Sequence, residues 1–241
     1  MIQSSLKQRI ASGEQIIGAN ISMTHCKDEL KKIVESGNFD FLWIDSQHSP
    51  FNEELLVSFC AKAADLNVPV IFRIKHTFQS YLIGNLLDLG PAGIEVPQVE
   101  SETTVNEAID YFYYPQKGKR SWGGSARYKI GEQGEDRLHY ADWWNNIGIL
   151  MLQLESIPAV NKAHQLAKAG VDCLSFGPND LWYSLEAHPH HPFQNVDDCV
   201  QNVVEQLEHS NTKVCFRNYS SATRGKYLDM GVTVFLENPK D

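Results

Sequence analysis

Residues 39–50, FDFLWIDSQHSP, run from a strongly apolar stretch into Asp45, Gln47 and His48, so polar and ionisable groups gather where the apolar run stops. An aspartate three residues before a histidine can orient one imidazole nitrogen and leave the other to carry a proton. A loop in which His48 caps the following helix fits the same residues. Arg73 closes the next apolar run, PVIFRI, with Lys75 and His76 just beyond it. Its planar guanidinium suits a carboxylate or an oxyanion, and equally an ion pair with Asp45 or Glu155. Gln153 and Glu155 end the run ILMLQLE, and Asp180 follows the turn FGP. A carboxylate at the end of so apolar a run is costly unless a cation meets it. Two such carboxylates, with no histidine or cysteine beside them, suit a hard divalent ion such as Mg²⁺ or Mn²⁺ that keeps positions for water and substrate. Otherwise Glu155 takes an arginine and Asp180 caps the next helix.

These groups act together only if the elements bearing them converge. Short apolar or β-branched runs occupy 16–22, 39–45, 69–74, 93–98, 148–155, 172–178, 213–218 and 233–238. Several are nearly continuous in apolar residues, as parallel strands covered on both faces are. Helical patterns fill most gaps. Asn52 should cap a helix with Leu55, Leu56, Phe59, Cys60 and Ala63 on one stripe, ending at Asn67. Others should stop at Gly37, Gly90 and Gly170, the last opening at Ser156. Eight strands alternating with helices in 241 residues predict an α/β fold, a single (β/α)8 or TIM barrel over residues 1–241. A doubly wound open sheet would normally carry a glycine-rich turn after its first strand, and IGANISMTH is not one.

In a TIM barrel the active face is the one at the carboxyl ends of the strands, where all the groups named above fall. The opposite ends open on Gly93, Gly148 or Asn67-Val68-Pro69. The one long irregular segment, 117–137, is rich in Gly, Arg and Lys, and long loops of this kind are functional or mobile. HPHHP at 188–192 reads as a rigid surface turn rather than a metal tract, and Trp143-Trp144 as core or subunit contact. Trp182-Tyr183 reads as packing, with a pocket wall as the alternative. Neither FRNYSS nor LENPKD offers a glycine-rich phosphate cradle.

The net charge of −9, from 21 Lys and Arg against 30 Asp and Glu, argues against nucleic-acid or membrane-surface partners. No apolar run reaches the roughly 18 residues of a membrane span, and MIQSSLKQRIASGEQ lacks the apolar stretch of a secretory signal. Five scattered cysteines without a CxxC pair read as reduced thiols, and a cytoplasmic location is expected.

The residues also carry a resemblance. FDFLWIDSQHSP resembles the D-x-E-H strand end of the class II pyruvate aldolases of the HpcH/HpaI type, which include 4-hydroxy-2-oxoheptanedioate and 2-dehydro-3-deoxyglucarate aldolases. PVIFRI is similar to their arginine strand, LLDLGPAGIEVPQVES to LLD-x-GA-x-G-x-x-VP, and YYPQKGKR to YPP-x-G-x-RG. LQLES is similar to their Q-x-E strand and FGPNDL to their GP-x-DL turn, all in sequence order. The resemblance implies reversible aldol cleavage of a 4-hydroxy-2-oxo acid to pyruvate, or a related 2-oxo acid, and an aldehyde. It implies a divalent metal (Mg²⁺, Mn²⁺ or Co²⁺) on Glu155 and Asp180, and Arg73 on the oxo acid and its enolate. Asp45 and His48 would move the proton, Gln153, Gly177 and Pro178 would line the substrate carboxylate, and a homo-oligomer is expected.

Four positions depart from that pattern. Gln47 replaces a glutamate, Trp122 stands where a small turn is usual and should narrow the pocket rim, and Glu95 charges a usually apolar strand. The chain also stops at Asp241, so the family's terminal helix is expected to be missing, leaving the N-terminal segment or another interface to cover that side. Three other readings compete: a Schiff-base aldolase using Lys75, a lyase acting on an acyl-CoA thioester, and a non-catalytic 2-oxo-acid-binding barrel.

Overall fold

The computed structural model describes residues 4–134 and 136–239. Its strands are β1 (Ile16–Ile21), β2 (Phe41–Asp45), β3 (Val70–Arg73), β4 (Gly93–Val96), β5 (Ile149–Leu154), β6 (Cys173–Phe176), β7 (Lys213–Tyr219) and β8 (Val234–Glu237). All pair in parallel and in sequence order, and β8 closes on β1, giving the expected TIM-type barrel.

Alternation along each strand splits the apolar residues into two cores. Ile16, Phe41, Trp43, Ile71, Ile149, Met151, Cys173, Cys215, Val234 and Leu236 form the cluster that fills the barrel. Their neighbours in sequence face outward and pack under the helices. Gly18 makes room for Phe41, because a β-carbon there would collide with the Phe41 ring and Leu236. Crowding of this kind makes the interior a packed core and confines any chemistry to its rim.

The helices follow the expected caps with local differences. Asn52 caps Glu53–Asp65 by accepting from the Leu55 amide, and Ser156 caps Ile157–Asn161 by accepting from that of Ala159. Gly37 is the last residue of its helix, and Asn38 takes the left-handed turn at φ 50°. Asparagine tolerates that region because its short polar side chain bonds locally.

The end of the barrel opposite the carboxyl ends is closed from the N-terminal side. Helix Leu6–Ala11, opened by a capping box on Ser5, inserts Ile10 against the inner core. Lys7 pairs with buried Asp172 at 2.7 Å and donates to the Gly148 carbonyl at 2.9 Å. Among the described residues no helix follows β8.

The segment 117–137 is pinned by two buried arginines. Arg120 is fully buried, pairs with Asp88 at 2.9 Å, and lies over the rings of Tyr114 and Trp144. Arg127 stacks over Trp122 at 3.8 Å and bonds the Gly123 carbonyl. Trp122 therefore belongs to an aromatic cage with Tyr114 and Tyr140, and does not narrow the mouth of the barrel as its position suggested.

Candidate active site

Register brings Asp45 of β2 beside Arg73 of β3 at the carboxyl ends of both strands. Arg73 is buried and its Nε and Nη2 donate to the two oxygens of Asp45, each at 2.7 Å, while Nη1 donates to Gln153 Oε1 at 3.0 Å. Burial alone would raise the Asp45 carboxyl, but the hydrogen bonds and charge of Arg73 outweigh it and hold Asp45 below its ordinary value. A fork fixed at three nitrogens is rigid, and its remaining N–H groups are left for a ligand.

This geometry corrects the expected Asp45–His48 pair. Both Asp45 oxygens are engaged by Arg73, and Asp45 reaches His48 only through the His48 backbone amide at 3.4 Å. The exposed His48 ring lines the mouth cavity independently. The ion pair wins because it joins buried Arg73 to half-buried Asp45 in register, whereas His48 lies three residues beyond the strand end.

Glu155 lies one residue beyond β5 and is buried. Its Oε1 accepts from the Gln98 backbone amide at 2.9 Å, an amide turned inward by a left-handed Gln98 at φ 51°. Its Oε2 is buried with no hydrogen-bond partner. Burial, reinforced by the nearby charge of Asp180, pushes the Glu155 carboxyl up to about 7. Glu155 is thus not locked onto an arginine, although Arg73 is close enough to act on it electrostatically.

Asp180 is the third residue of helix Pro178–Ala187, with Gly177 as the preceding turn. A β-carbon on Gly177 would collide with the Gln153 amide nitrogen and Glu155 Oε2, so the glycine keeps the space over the carboxylate open. An orphaned buried oxygen and a second carboxylate within electrostatic reach are donors of the kind a hard cation takes. No cluster of three or more His, Cys, Asp or Glu side chains able to hold a metal occurs among the described residues, so such an ion would draw its other ligands from water and substrate.

His48, Arg73, Gln153, Gly177, Pro178 and Asp180 line one cavity of about 140 Å³, together with Asn179, Arg217 and Tyr219. A larger cavity of about 650 Å³ adjoins it towards the ends of β1 and β2 and shares Arg73, Arg217 and Tyr219. Lys75 lies beyond β3 and its side chain is exposed, so it does not face into the barrel as the Schiff-base reading requires. Trp182 and Tyr183 are exposed and line neither cavity.

Glu95 stood out in the sequence as a charge in an apolar strand, but its partner Arg217 was not anticipated. Glu95, fully buried in the barrel, accepts from Trp43 Nε1 at 2.8 Å and from the Ser175 hydroxyl, and pairs with Arg217 at 2.5 Å. A glutamate in β4 and an arginine in β7, each inside an apolar run, were the available signal. Their pairing spans 122 positions and shows only once the barrel is closed.

A family model described as HpcH/HpaI aldolase/citrate lyase matches residues 24–223. A hydroxypyruvate/pyruvate aldolase from Pseudomonas aeruginosa is 26% identical over 232 residues, covering 93% of this chain and 82% of the relative. A 4-hydroxy-2-oxo-heptane-1,7-dioate aldolase from Salmonella arizonae is 26% identical over 236 residues, covering 95% and 86%. The crystal structure of an HpcH/HpaI aldolase from Desulfitobacterium hafniense superposes with a TM-score of 0.85 at 23% identity, covering 98% and 90%. That of the citrate synthase SbnG gives 0.80 at 24% identity, covering 99% and 91%.

Proposed function

The chain belongs to the HpcH/HpaI aldolase/citrate lyase family, and from that premise we propose that it is a divalent-metal-dependent aldolase. It would cleave a 4-hydroxy-2-oxo acid reversibly to pyruvate, or a related 2-oxo acid, and an aldehyde. The observation that carries this reading is the buried, partnerless Oε2 of Glu155, beside Asp180 and under a residue with no side chain.

Glu155 and Asp180 would hold Mg²⁺, Mn²⁺ or Co²⁺, since oxygen donors accept all three. When bound, the ion would polarise the 2-oxo group and offset the charge that develops on the pyruvate enolate. Arg73, immobilised by Asp45 and Gln153, binds the oxo acid through its free N–H groups and contributes positive charge at the same oxygens. Gln153 and the Gly177-Pro178 turn line the site of the substrate carboxylate. His48 at the mouth accepts the 4-hydroxyl proton as the C3–C4 bond breaks, and the bonding pair passes into the enolate. Protonation at C3 then gives pyruvate. Asp45 is a positioning residue here, because its oxygens hold Arg73.

The buried Arg73 also distinguishes this reading from a covalent amine mechanism, as Lys75 faces solvent. The family's activities make small oxo acids the partners, and we extend the reading to a homo-oligomer. Exposed Phe78, Tyr81 and Tyr183 are large apolar groups for a second copy to cover.

Enolate formation can be tested without knowing the aldehyde. Pyruvate methyl protons should exchange with D₂O in the presence of protein and Mg²⁺, as read by proton NMR. The exchange should fall by about 100-fold in Arg73→Lys, which keeps the charge but not the fork. Exchange no faster than in buffer would overturn the aldolase reading.

A further inference from the structure

Arg217 sits on β7 inside the barrel mouth, with only 6% of its side chain exposed. Its guanidinium lies over the Trp43 ring at 4.0 Å, and its Nη2 donates to Glu95 Oε2 at 2.5 Å. Nε is buried without an acceptor, so Nη1 is the one nitrogen neither bonded nor sealed from the cavities. Glu95 also accepts from Trp43 and from the Ser175 hydroxyl, which spreads its charge over three donors. Its contact with Arg217 is single-pronged, unlike the fork between Arg73 and Asp45. An arginine has five N–H groups, and one so sparsely bonded in a dry site keeps a donor and positive charge to spare.

The cavities set where that spare donor acts. The 140 Å³ cavity holds Gln153, Gly177 and Asp180, the groups assigned to the oxo-acid end, together with His48. The 650 Å³ cavity continues from it towards the ends of β1 and β2. Arg73, Arg217 and Tyr219 line both, so they mark the junction. A 4-hydroxy-2-oxo acid with its oxo-acid end in the first and its remainder in the second has its C3–C4 bond at that junction. Of the two residues there besides Arg73, Tyr219 is exposed, whereas Arg217 is buried and charged. β7 also changes register against β8 between Phe216 and Tyr219, and a bulge re-aims side chains at a rim.

We propose that Arg217 is a catalytic residue whose Nη1 donates to the C4 oxygen of the substrate. It stabilises the negative charge that builds on that oxygen as the hydroxyl proton leaves and the C3–C4 bond breaks. The inference rests on the aldolase reading, in which Arg73 serves the oxygens of the 2-oxo acid. His48 takes the proton, the O–H pair becomes the second C4–O bond, and the C3–C4 pair passes into the enolate. Arg217 transfers no proton. It is a donor fixed by Glu95 and Trp43 and aimed at developing charge, which is where a preorganised dipole lowers a barrier most. In the condensation direction the same N–H polarises the aldehyde carbonyl. The role requires only an oxygen on C4, so it is independent of what else the aldehyde carries.

The test compares two reactions in the presence of Mg²⁺. Cleavage of 4-hydroxy-2-oxopentanoate, a monoacid that yields pyruvate and acetaldehyde, uses the C4 oxygen. Exchange of pyruvate methyl protons with D₂O forms the same enolate without one. In the charge-balanced double variant Arg217→Met with Glu95→Gln, kcat for cleavage should fall by about 100-fold with little change in KM, as when a contact made in the transition state is lost. The pair is changed together because Arg217→Met alone strands a buried carboxylate. Exchange should fall by a factor at least about tenfold smaller than that for cleavage. Arg217→Lys, which keeps a cation, should recover part of kcat, an effect that a purely structural role would not predict. A kcat lowered less than about threefold, an equal loss in both reactions, or a change confined to KM would each overturn the proposal. Wild-type exchange without any cleavage would overturn it too, whereas absence of wild-type exchange overturns the aldolase reading itself.

Discussion

Glu155 carries a carboxyl that burial and the charge of Asp180 push from its ordinary 4.5 up to about 7. Between those two values the folded, metal-free chain holds a proton that the unfolded chain has already released. Its stability therefore falls as pH rises through that window, by about 3 kcal/mol in all. Glu155→Gln should flatten that slope and raise the melting temperature of metal-free protein at pH 8, read by calorimetry at pH 5 and pH 8. A melting temperature lowered at pH 8 would contradict it. Affinity for a divalent ion runs the other way. Below about pH 7 the ion competes with a proton on Glu155, so binding should weaken about tenfold per pH unit. The neighbouring Asp45 is the opposite case: Arg73 holds it ionised below its ordinary value, so its hold on the guanidinium is not lost in the same window.

Each element contributes to the site through the way it ends. Two residues past β4 a left-handed Gln98 turns its amide to Glu155, and β6 is followed by Gly177 before a helix that brings in Asp180. The helix starting at Pro178 needs no backbone N–H there, which is why proline serves as its first residue. At Gly177 the constraint is steric, since any β-carbon meets Gln153 and Glu155. Gly177→Ala should therefore leave the barrel folded but lower kcat/KM for oxo-acid cleavage by about 100-fold, because small misplacements at a reacting centre are that costly. Unaltered kinetics with a normal melting curve would show that the space over Glu155 is not used. Lys75 is placed by an ending too: β3 stops at Arg73, and Lys75, two residues beyond it, is exposed.

At the scale of the whole molecule, the barrel was legible because its strands are short, apolar and regularly separated by helical stripes, and because charged groups cluster at one set of ends. Arg73, Gln153, Gly177, Pro178 and His48 do line one cavity with Asp180, as strand-end logic requires, with Glu155 packed beneath Gly177. What could not be read was which partner each charged group takes. Asp45 was open between His48 and Arg73, and strand register decided it. Glu95 and Arg217 meet across the barrel, a relation that no local pattern encodes. Closure of the far end by Lys7 and Ile10 likewise depends on where the first helix docks, not on its own sequence. In the proposed reading, Glu155 just after β5 and Asp180 in the helix after β6 share one ion beside Arg73, which Asp45 and Gln153 hold. Calorimetric titration of metal-stripped protein with Mn²⁺ at pH 8, for wild type, Glu155→Gln and Asp180→Asn, tests this most directly. One ion per chain should bind the wild type, tightened by pyruvate, and each substitution should weaken it by about 100-fold or more. Equal Mn²⁺ affinity in all three proteins would contradict the account.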